Sequence, residues 1–260
     1  MSDVIVSVPA RNERDHLPKC LRAIAAAAGN ARQELGIGVA VAVADHRSTD
    51  DTYAAARIEL SKYFDLDWLV VRDDTSRTVG HVRYRLIEAA LAKWPDTDGA
   101  DRWLLTTDAD SIVPLNWITG LLGHAHRTRA DAVAGMAHLD EAPPPAVADE
   151  YRRIVAAGVH GDQHDHVYGA NLAVSLRAYR EVGGFADVTS GEDRDLVRRL
   201  RVAGWVVSSA LEPAVITSAR HPGRAAVGLG ALLKRIYDRH EVPELNNRPI
   251  TDTRSPMSRP

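Results

Sequence analysis

Short apolar runs alternate with longer stretches of helical periodicity through the first 110 residues. The apolar runs, rich in β-branched residues, indicate buried strands at residues 4–8, 39–44, 68–71 and 103–107. Helical patterns fill the intervals at residues 17–28, 51–62 and 80–93, and Gly29 marks the expected end of the first helix. This alternation predicts a mostly parallel sheet covered by helices on both faces.

The second half of the chain has a less regular pattern. It indicates strands at residues 132–139, 169–174 and 205–208 and helices at residues 147–157 and 196–203. The tail from residue 243 to 260 is rich in Pro, Asn, Arg and Ser, and we expect it to be loosely ordered. With no internal repeat and no low-complexity linker, the sequence predicts one domain, divided into halves at residues 1–112 and 113–242.

Composition narrows the class of protein. An apolar content of 45% over 260 residues allows a sizeable core, and a formal net charge of −3 argues against a nucleic-acid partner. The single cysteine, Cys20, excludes internal disulfides, fits a reducing cytoplasm and has the surroundings of a buried thiol. We expect no secretory signal and no spanning helix. The short apolar segment 225–233 indicates a core helix, with peripheral membrane contact as the alternative.

Two carboxylates follow the fourth predicted strand. Residues i and i+2 of a strand project to the same side, so Asp108 and Asp110 can point toward one place beyond the sheet edge. Ligands of such sheets bind at the carboxyl ends of the strands, and Mg²⁺ commonly takes one or two carboxylates together with substrate phosphates. The pair therefore predicts a divalent cation site. A strand-end pair that caps a loop is the alternative.

Several motifs occur in a fixed order between residues 4 and 218. They are Val6-Ser7-Val8-Pro9-Ala10-Arg11-Asn12-Glu13, Val43-Ala44-Asp45-His46-Arg47-Ser48-Thr49-Asp50-Asp51-Thr52, Thr107-Asp108-Ala109-Asp110, Gly169-Ala170-Asn171, Gly183-Gly184-Phe185 and Gly191-Glu192-Asp193. Together they resemble glycosyltransferase family 2. The resemblance implies an α/β fold of the GT-A type, with a Rossmann-like, mostly parallel sheet flanked by helices and a smaller mixed region on the acceptor side.

The resemblance assigns the donor nucleotide to the first loop and to the end of the second strand. By position, Pro9, Ala10, Arg11 and Glu13 would form the wall of the base and ribose pocket. Asp45 would accept a hydrogen bond from the base, which suits an ionised carboxylate because it can only accept. The alternative is that Glu13 and Asp45 are helix-start or turn residues.

The same resemblance implies roles near the diphosphate. Arg83 would bond the diphosphate or brace the metal carboxylates, although an exposed helix charge is the competing interpretation. Asp110 would be the direct metal ligand and Asp108 a ribose or metal partner, with Ala109 between them at the donor site. The implied cation is Mn²⁺ or Mg²⁺.

On the acceptor side, the resemblance places a general base in the pair at the start of a helix. We favour Asp193 as the base and Glu192 as a residue that positions the acceptor, although acidic residues at a helix start are also favoured by the helix dipole. Gly169 allows close backbone approach to a ligand, and Asn171 would bond a sugar hydroxyl.

Two further groups of residues are candidate ligands. In the region after the last strand, the resemblance would have His221 complete the metal shell and Arg220 and Arg224 hold the diphosphate, with loop residues as the alternative. The histidine-rich segment 160–166 matches no tetrahedral zinc spacing, so its residues are expected in solvent or in the acceptor pocket.

The resulting hypothesis is an inverting, metal-dependent glycosyltransferase that uses a nucleoside diphosphate sugar, with uridine favoured, and an unidentified hydroxyl acceptor. A retaining transferase of similar fold and a catalytically silent nucleotide-sugar-binding relative are the alternatives. The acceptor can be a metabolite, a protein or a lipid headgroup, and a homodimer is possible.

Overall fold

The structure is a computed structural model and describes residues 3–95, 102–219 and 229–240. Within these residues the helices are α1 (Leu17–Leu35), α2 (Thr52–Leu60), α3 (Val79–Lys93), α4 (Trp117–Thr128), α5 (Pro145–Ala157), α6 (Leu176–Glu181), α7 (Glu192–Val202) and α8 (Leu229–Arg239). The strands are β1 (Val4–Ala10), β2 (Val39–His46), β3 (Asp67–Asp73), β4 (Trp103–Thr106), β5 (Ser111–Ile112), β6 (Ala132–Leu139), β7 (Val159–His160), β8 (Gln163–His164), β9 (Leu172–Ser175) and β10 (Val207–Thr217).

Eight strands form one mixed sheet in the order β3-β2-β1-β4-β9-β6-β10-β5, and β7 pairs with β8 in a small antiparallel hairpin. Strands β1 to β4 are parallel, β9 is antiparallel to both β4 and β6, and β6 is parallel to β10. The carboxyl ends of β1, β2, β4, β6 and β10 therefore meet at one edge. The predicted α/β fold with a mostly parallel sheet is confirmed.

The helices form two layers because successive side chains of a strand point to opposite faces. Val4, Val6 and Val8 of β1 pack with α1, α2 and α4, whereas Ile5 packs with α3 and α7. A third, smaller apolar cluster joins α5 to α8. Helices α3 and α7 thus lie in the same layer, which brings the start of each helix to the carboxyl edge of the sheet.

Every strand and helix predicted for the first half is present, but one boundary is wrong. Helix α1 does not end at Gly29; it continues to Leu35 and ends at Gly36. Gly36 has a φ of 67° and its amide donates to the Arg32 carbonyl, the left-handed cap that glycine favours. A Cβ at Gly29 would meet no atom within 4 Å, so this glycine is accommodated inside the helix without a special contact.

The second half contains elements that the pattern did not indicate. Helix α4 buries Trp117, Ile118, Leu121 and Ala125, an apolar stripe at helical spacing that was missed. Strand β10 runs nine residues beyond the predicted segment 205–208, to Thr217. The predicted strand at 169–174 begins only at Leu172.

The described residues include no helix that is both long and apolar enough to cross a bilayer. Helix α8 covers the second part of the apolar segment 225–233, and its Leu233 is buried against α5. The predicted loosely ordered tail, residues 243–260, lies outside the described residues.

Candidate active site

A cleft of about 560 Å³ opens at the carboxyl edge of the sheet. Most of the residues selected from the sequence line it. They are Pro9, Ala10, Arg11, Glu13, Arg83, Asp108, Ala109, Asp110, Glu192 and Asp193. The two acidic motifs therefore share one cavity, although 81 residues or more separate them along the chain.

The loop after β1 is held in place by the start of α2. The amide of Glu13 donates to Thr52 Oγ1 at 2.8 Å, and the amide of Asn12, whose φ is 51°, donates to Ser48 Oγ at 2.9 Å. Glu13 itself is buried, and its Oε2 lies 3.1 Å from His16 Nδ1. These contacts fix Glu13 as part of the cleft wall.

Asp108 and Asp110 follow β4 directly. The Thr107 amide donates to the Ser7 carbonyl, which ties the chain before the acidic motif to β1. Beneath the motif, the buried thiol of Cys20 donates to the Asp108 carbonyl at 3.4 Å. Burial, reinforced by the charges of Asp110 and Asp108, raises the pKa of Cys20 well above its usual range, so the thiol remains protonated and inert.

A buried arginine connects the two acidic motifs. Arg83 Nη2 donates to Asp108 Oδ1 at 2.5 Å, and Arg83 Nε lies 3.4 Å from Glu192 Oε1. Burial alone would lower the pKa of Arg83, but the charges of Asp108 and Glu192 raise it, so the guanidinium stays charged. The prediction that Arg83 braces the metal carboxylates fits this contact, whereas the exposed-charge alternative is wrong because only 2% of the residue is exposed.

Two glycines make room for this arginine and its helix. A Cβ at Gly169 would lie 2.8 Å from Arg83 Nη2. A Cβ at Gly80 would lie 2.2 Å from the Ala186 carbonyl oxygen and 3.0 Å from Glu192 Cβ. Close packing of the start of α3 against the chain before α7 therefore requires glycine at position 80.

The two acidic residues at the start of α7, Glu192 and Asp193, lie in different environments. Burial raises the pKa of Glu192, and the neighbouring Arg83 only partly opposes that effect. Asp193 is half-buried; its Oδ2 accepts from the Gly169 amide at 2.8 Å and its Oδ1 from the Arg194 amide at 2.7 Å. The two backbone amides fix the orientation of the Asp193 carboxylate at the cleft.

The structure corrects the prediction for Asn171. Its side chain is fully buried: Oδ1 accepts from Trp117 Nε1 at 2.8 Å, and Nδ2 donates to the carbonyls of Met136 and Pro213. A Cβ at Gly135 would collide with this amide at 2.2 Å. Because these contacts occupy its amide inside the core, Asn171 does not bond a sugar hydroxyl.

Asp45 also lies behind the cleft wall. It is buried at the end of β2, and its Oδ1 has no hydrogen-bond partner among the described residues. The next residue, His46, does line the cleft, and its Nδ1 is 2.9 Å from the Asp73 carbonyl oxygen. Asp45 thus has an uncommitted acceptor, but this oxygen is buried behind the wall and does not line the cleft.

The histidines of segment 160–166 do not converge. His164 and His166 contact the carbonyls of Ala210 and Val155, and His160 pairs with Asp165. Throughout the part of the chain that is described, no group of three or more His, Cys, Asp or Glu residues is arranged to hold a metal ion. Predictions for Arg220, His221 and Arg224 lie outside the described residues.

Sequence reasoning did not select several residues of the cleft wall. They include His46, Arg77, Tyr168, Arg194, Thr217 and Ser218. Tyr168 stacks on His166 at a ring-centroid distance of 5.7 Å. The only sequence signal for Tyr168 and Arg194 was that each adjoins a motif residue, Gly169 and Asp193 respectively.

Solved structures of similar fold carry sugar donors. A mannosyltransferase from Pyrobaculum calidifontis, in complex with GDP-Man and Mn²⁺, shares 20% identity at a TM-score of 0.64, and the match covers 85% of this chain and 58% of the other. S. aureus TarS residues 1–349, in complex with UDP-GlcNAc, shares 15% identity at a TM-score of 0.60, and the match covers 95% of this chain and 68% of the other. This chain thus spans 58% of the length of the mannosyltransferase chain.

Comparison of sequences gives the family. No curated protein sequence matches the chain. The sequence profile described as "Glycosyl transferase family 2" matches residues 5–145, which is more than half of the 260 residues. The matched segment contains the β1 loop, Asp45, Arg83 and the Asp108/Asp110 pair. The chain therefore belongs to glycosyl transferase family 2.

Proposed function

We propose that the protein transfers a sugar from a nucleoside diphosphate donor to an acceptor hydroxyl, with inversion at the anomeric carbon and with a divalent cation. The observation that carries this proposal is the shared cleft of the two acidic motifs, joined through Arg83 to Asp108 and Glu192. A transferase that inverts needs a group that offsets charge on the leaving diphosphate and a base beside the acceptor, and the cleft offers a candidate for each.

The residues at the end of β4 fit a hard cation. Asp108 and Asp110 line the cleft from positions i and i+2, and two carboxylates with donor phosphates form a ligand set that suits Mg²⁺ or Mn²⁺. The Arg83 contact to Asp108 Oδ1 leaves Oδ2 available. A cation bound there would stabilise the negative charge of the departing diphosphate. We assign Asp110 as the direct ligand.

The base in this proposal is Asp193. Its carboxylate faces the cleft with an orientation fixed by two amides, whereas Glu192 is buried and paired with Arg83. The acceptor oxygen attacks the anomeric carbon while the bond from that carbon to the phosphate oxygen breaks. The hydroxyl proton passes to Asp193, and the nucleoside diphosphate leaves with the bonding electron pair. Glu192 holds Arg83 and the start of α7 in place.

For the nucleotide we propose uridine. The unpartnered Oδ1 of Asp45, buried behind the cleft wall beside His46, is the acceptor that we assign to the one ring N–H donor of uracil, which would reach it if the His46 side chain moved aside. Pro9, Ala10, Arg11 and Glu13 line the adjoining wall. Guanine is the competing base, since one of the two neighbours of similar fold is in complex with GDP-Man and the other with UDP-GlcNAc.

A screen of nucleoside diphosphates by thermal unfolding, with and without Mn²⁺, tests the proposal. Saturation at 100 times the dissociation constant adds about 2.7 kcal/mol and raises the melting temperature by about 5 °C or more. We expect this shift with UDP only when Mn²⁺ is present, and a smaller one with GDP. No shift with any nucleotide contradicts the proposed donor class. The anomeric configuration of the product distinguishes inversion from retention, and absence of both transfer and donor hydrolysis supports a silent relative.

A further inference from the structure

We propose that the part of the cleft formed by Tyr168 and Arg194 binds an oxyanion, a phosphate or carboxylate carried by the acceptor, so that the acceptor is an anionic hydroxyl compound. The inference rests on the proposed function, because it uses Asp193 as the marker of the acceptor side. We call Tyr168 and Arg194 the anion subsite.

A series of contacts runs from the proposed cation site through Glu192 and Asp193 to the anion subsite. Asp108 contacts Arg83, Arg83 contacts Glu192, and Asp193 follows next in the chain. The Asp193 carboxylate then binds the Gly169 amide at 2.8 Å, which brings Tyr168 beside the first turn of α7, where Arg194 lies. We therefore assign the anion subsite to the far side of the acidic pair from the diphosphate that Asp110 would help to hold.

Arg194 carries a positive charge that nothing described in the structure neutralises. It is exposed and lines the cleft, and no hydrogen bond or ion pair of its guanidinium occurs within residues 3–95, 102–219 and 229–240. Arg83, in contrast, is committed to Asp108 and Glu192. A guanidinium offers a planar fork of N–H donors that matches the geometry of phosphate and carboxylate.

Tyr168 lines the same cleft as this arginine. The Tyr168 ring is stacked on His166, which is itself held by the Val155 carbonyl at 2.8 Å, so the ring has a fixed position. Burial, and to a lesser degree Tyr151, raises the pKa of Tyr168, while Arg194 lowers it, so the phenol remains a donor at neutral pH. The Tyr151 hydroxyl is buried without a partner among the described residues.

The charge of Arg194 indicates which kind of acceptor the cleft would take. An oxyanion of the acceptor that pairs with Arg194 would bring the acceptor hydroxyl toward Asp193. Without Arg194, an anionic acceptor would be repelled by the acidic pair Glu192 and Asp193.

Binding measurements on the full chain, saturated with UDP and Mn²⁺, test the anion subsite. The probes are glycerol 3-phosphate, glycerate and glycerol, which share hydroxyl groups and differ in the anion. We expect either anionic probe to bind at least about tenfold more tightly than glycerol, the effect of one charge-assisted hydrogen bond. The anionic probe that binds more tightly shows whether the subsite prefers a phosphate or a carboxylate.

Variants assign the effect to the subsite. Arg194→Gln should reduce the preference for the anionic probe over glycerol about tenfold. Tyr168→Phe keeps the aromatic ring but loses the hydroxyl donor, so it should also reduce this preference. Arg201→Gln is the matched control, an exposed arginine two turns further along α7 and outside the cleft wall, and it should leave the preference unchanged.

Two results would overturn the proposal. One is equal affinity of the wild-type protein for glycerol and both anionic probes. The other is a loss of UDP affinity in Arg194→Gln as large as its loss of affinity for the anionic probe, which would place Arg194 at the donor diphosphate. Affinity for UDP and Mn²⁺, measured in the same wild-type samples, tests the proposed function separately, because donor binding does not depend on the acceptor anion.

Discussion

Arg83 Nε lies 3.4 Å from Glu192 Oε1, although the two residues are 109 positions apart in the chain. Both side chains are at most 9% exposed, so neither charge is well solvated. The same guanidinium holds Asp108 at 2.5 Å. At the sheet edge, the buried guanidinium of Arg83 thus connects the proposed metal-ion site at Asp108 to the helix that carries the proposed base.

Removing the Arg83 guanidinium should lower the free energy of unfolding. Arg83→Met leaves the buried Glu192 without its partner, and we expect a loss of about 3 kcal/mol in the free energy of unfolding. Glu192→Gln introduced into the same variant should restore part of that loss, because the uncompensated charge is gone. Arg85→Met, which removes a half-exposed arginine on the same helix, should cost less than about 1 kcal/mol. Denaturant unfolding measures five proteins: the wild type, Arg83→Met, Glu192→Gln, the double variant and Arg85→Met. Simple additivity of Arg83→Met and Glu192→Gln would contradict the coupling.

The acidic pair at the start of α7 should respond unequally to amide substitution. Asp193→Asn keeps the shape and removes the base, so kcat should fall about 100- to 10,000-fold while donor affinity is retained. Glu192→Gln should lower kcat less, because it acts through Arg83 and the position of α7. Steady-state kinetics with the identified acceptor, together with UDP binding, measures both. A larger loss of kcat in Glu192→Gln would transfer the role of base to Glu192.

Asp110→Asn should separate nucleotide binding from cation binding. The variant loses one carboxylate of the proposed ligand pair, so the Mn²⁺-dependent part of the UDP thermal shift should disappear. Asp74→Asn removes an exposed carboxylate at the same sheet edge but outside the cleft wall, and it should behave as the wild type. An unchanged Mn²⁺ effect in Asp110→Asn would exclude this residue as a ligand.

The sequence predicted the sheet edge well because the relevant residues follow strands directly. Parallel strands end at one edge, so Pro9 and Asp108 could be expected in the same cleft without a structure. Glu192 and Asp193 depended on the family resemblance, since their distance from Asp108 is set by packing of α3 against α7. No local pattern encodes that packing.

The failed prediction for Asn171 has a related cause. The motif Gly169-Ala170-Asn171 marks a turn into an antiparallel strand, and only the tertiary structure shows on which side of the sheet each residue lies. Gly169 faces the cleft beside Arg83, whereas Asn171 faces the core beside Trp117. Residues two positions apart at a chain reversal need not share a face.

Asn171 should therefore matter for stability. Asn171→Ala removes hydrogen bonds to Trp117, Met136 and Pro213 and leaves their buried groups unpaired, at an expected cost of about 3 kcal/mol in the free energy of unfolding. UDP affinity of the folded variant should be unchanged. Chemical denaturation and nucleotide titration check the two parts, and a stable variant with altered donor affinity would return Asn171 to the sugar site.

Asp73 should make the stability of the sheet edge sensitive to acid. Burial raises its pKa, but hydrogen bonds from Ser76 and Thr75 outweigh burial and lower the pKa to about 2 from 3.8. The folded state therefore favours the ionised carboxylate by about 2 kcal/mol, a stabilisation that is present above pH 4 and lost as the pH falls toward 2.

Asp73→Asn lacks this titration. Its deficit relative to the wild type should be about 2 kcal/mol at neutral pH and should shrink between pH 4 and 2, because the wild-type carboxyl is protonated there. Urea unfolding at a series of pH values gives the difference directly. Asp67→Asn on the same strand, where the side chain is exposed, serves as the comparison and should show a smaller pH dependence. A deficit of Asp73→Asn that is constant from pH 7 to 2 would show that the hydrogen bonds do not depend on the charge of Asp73.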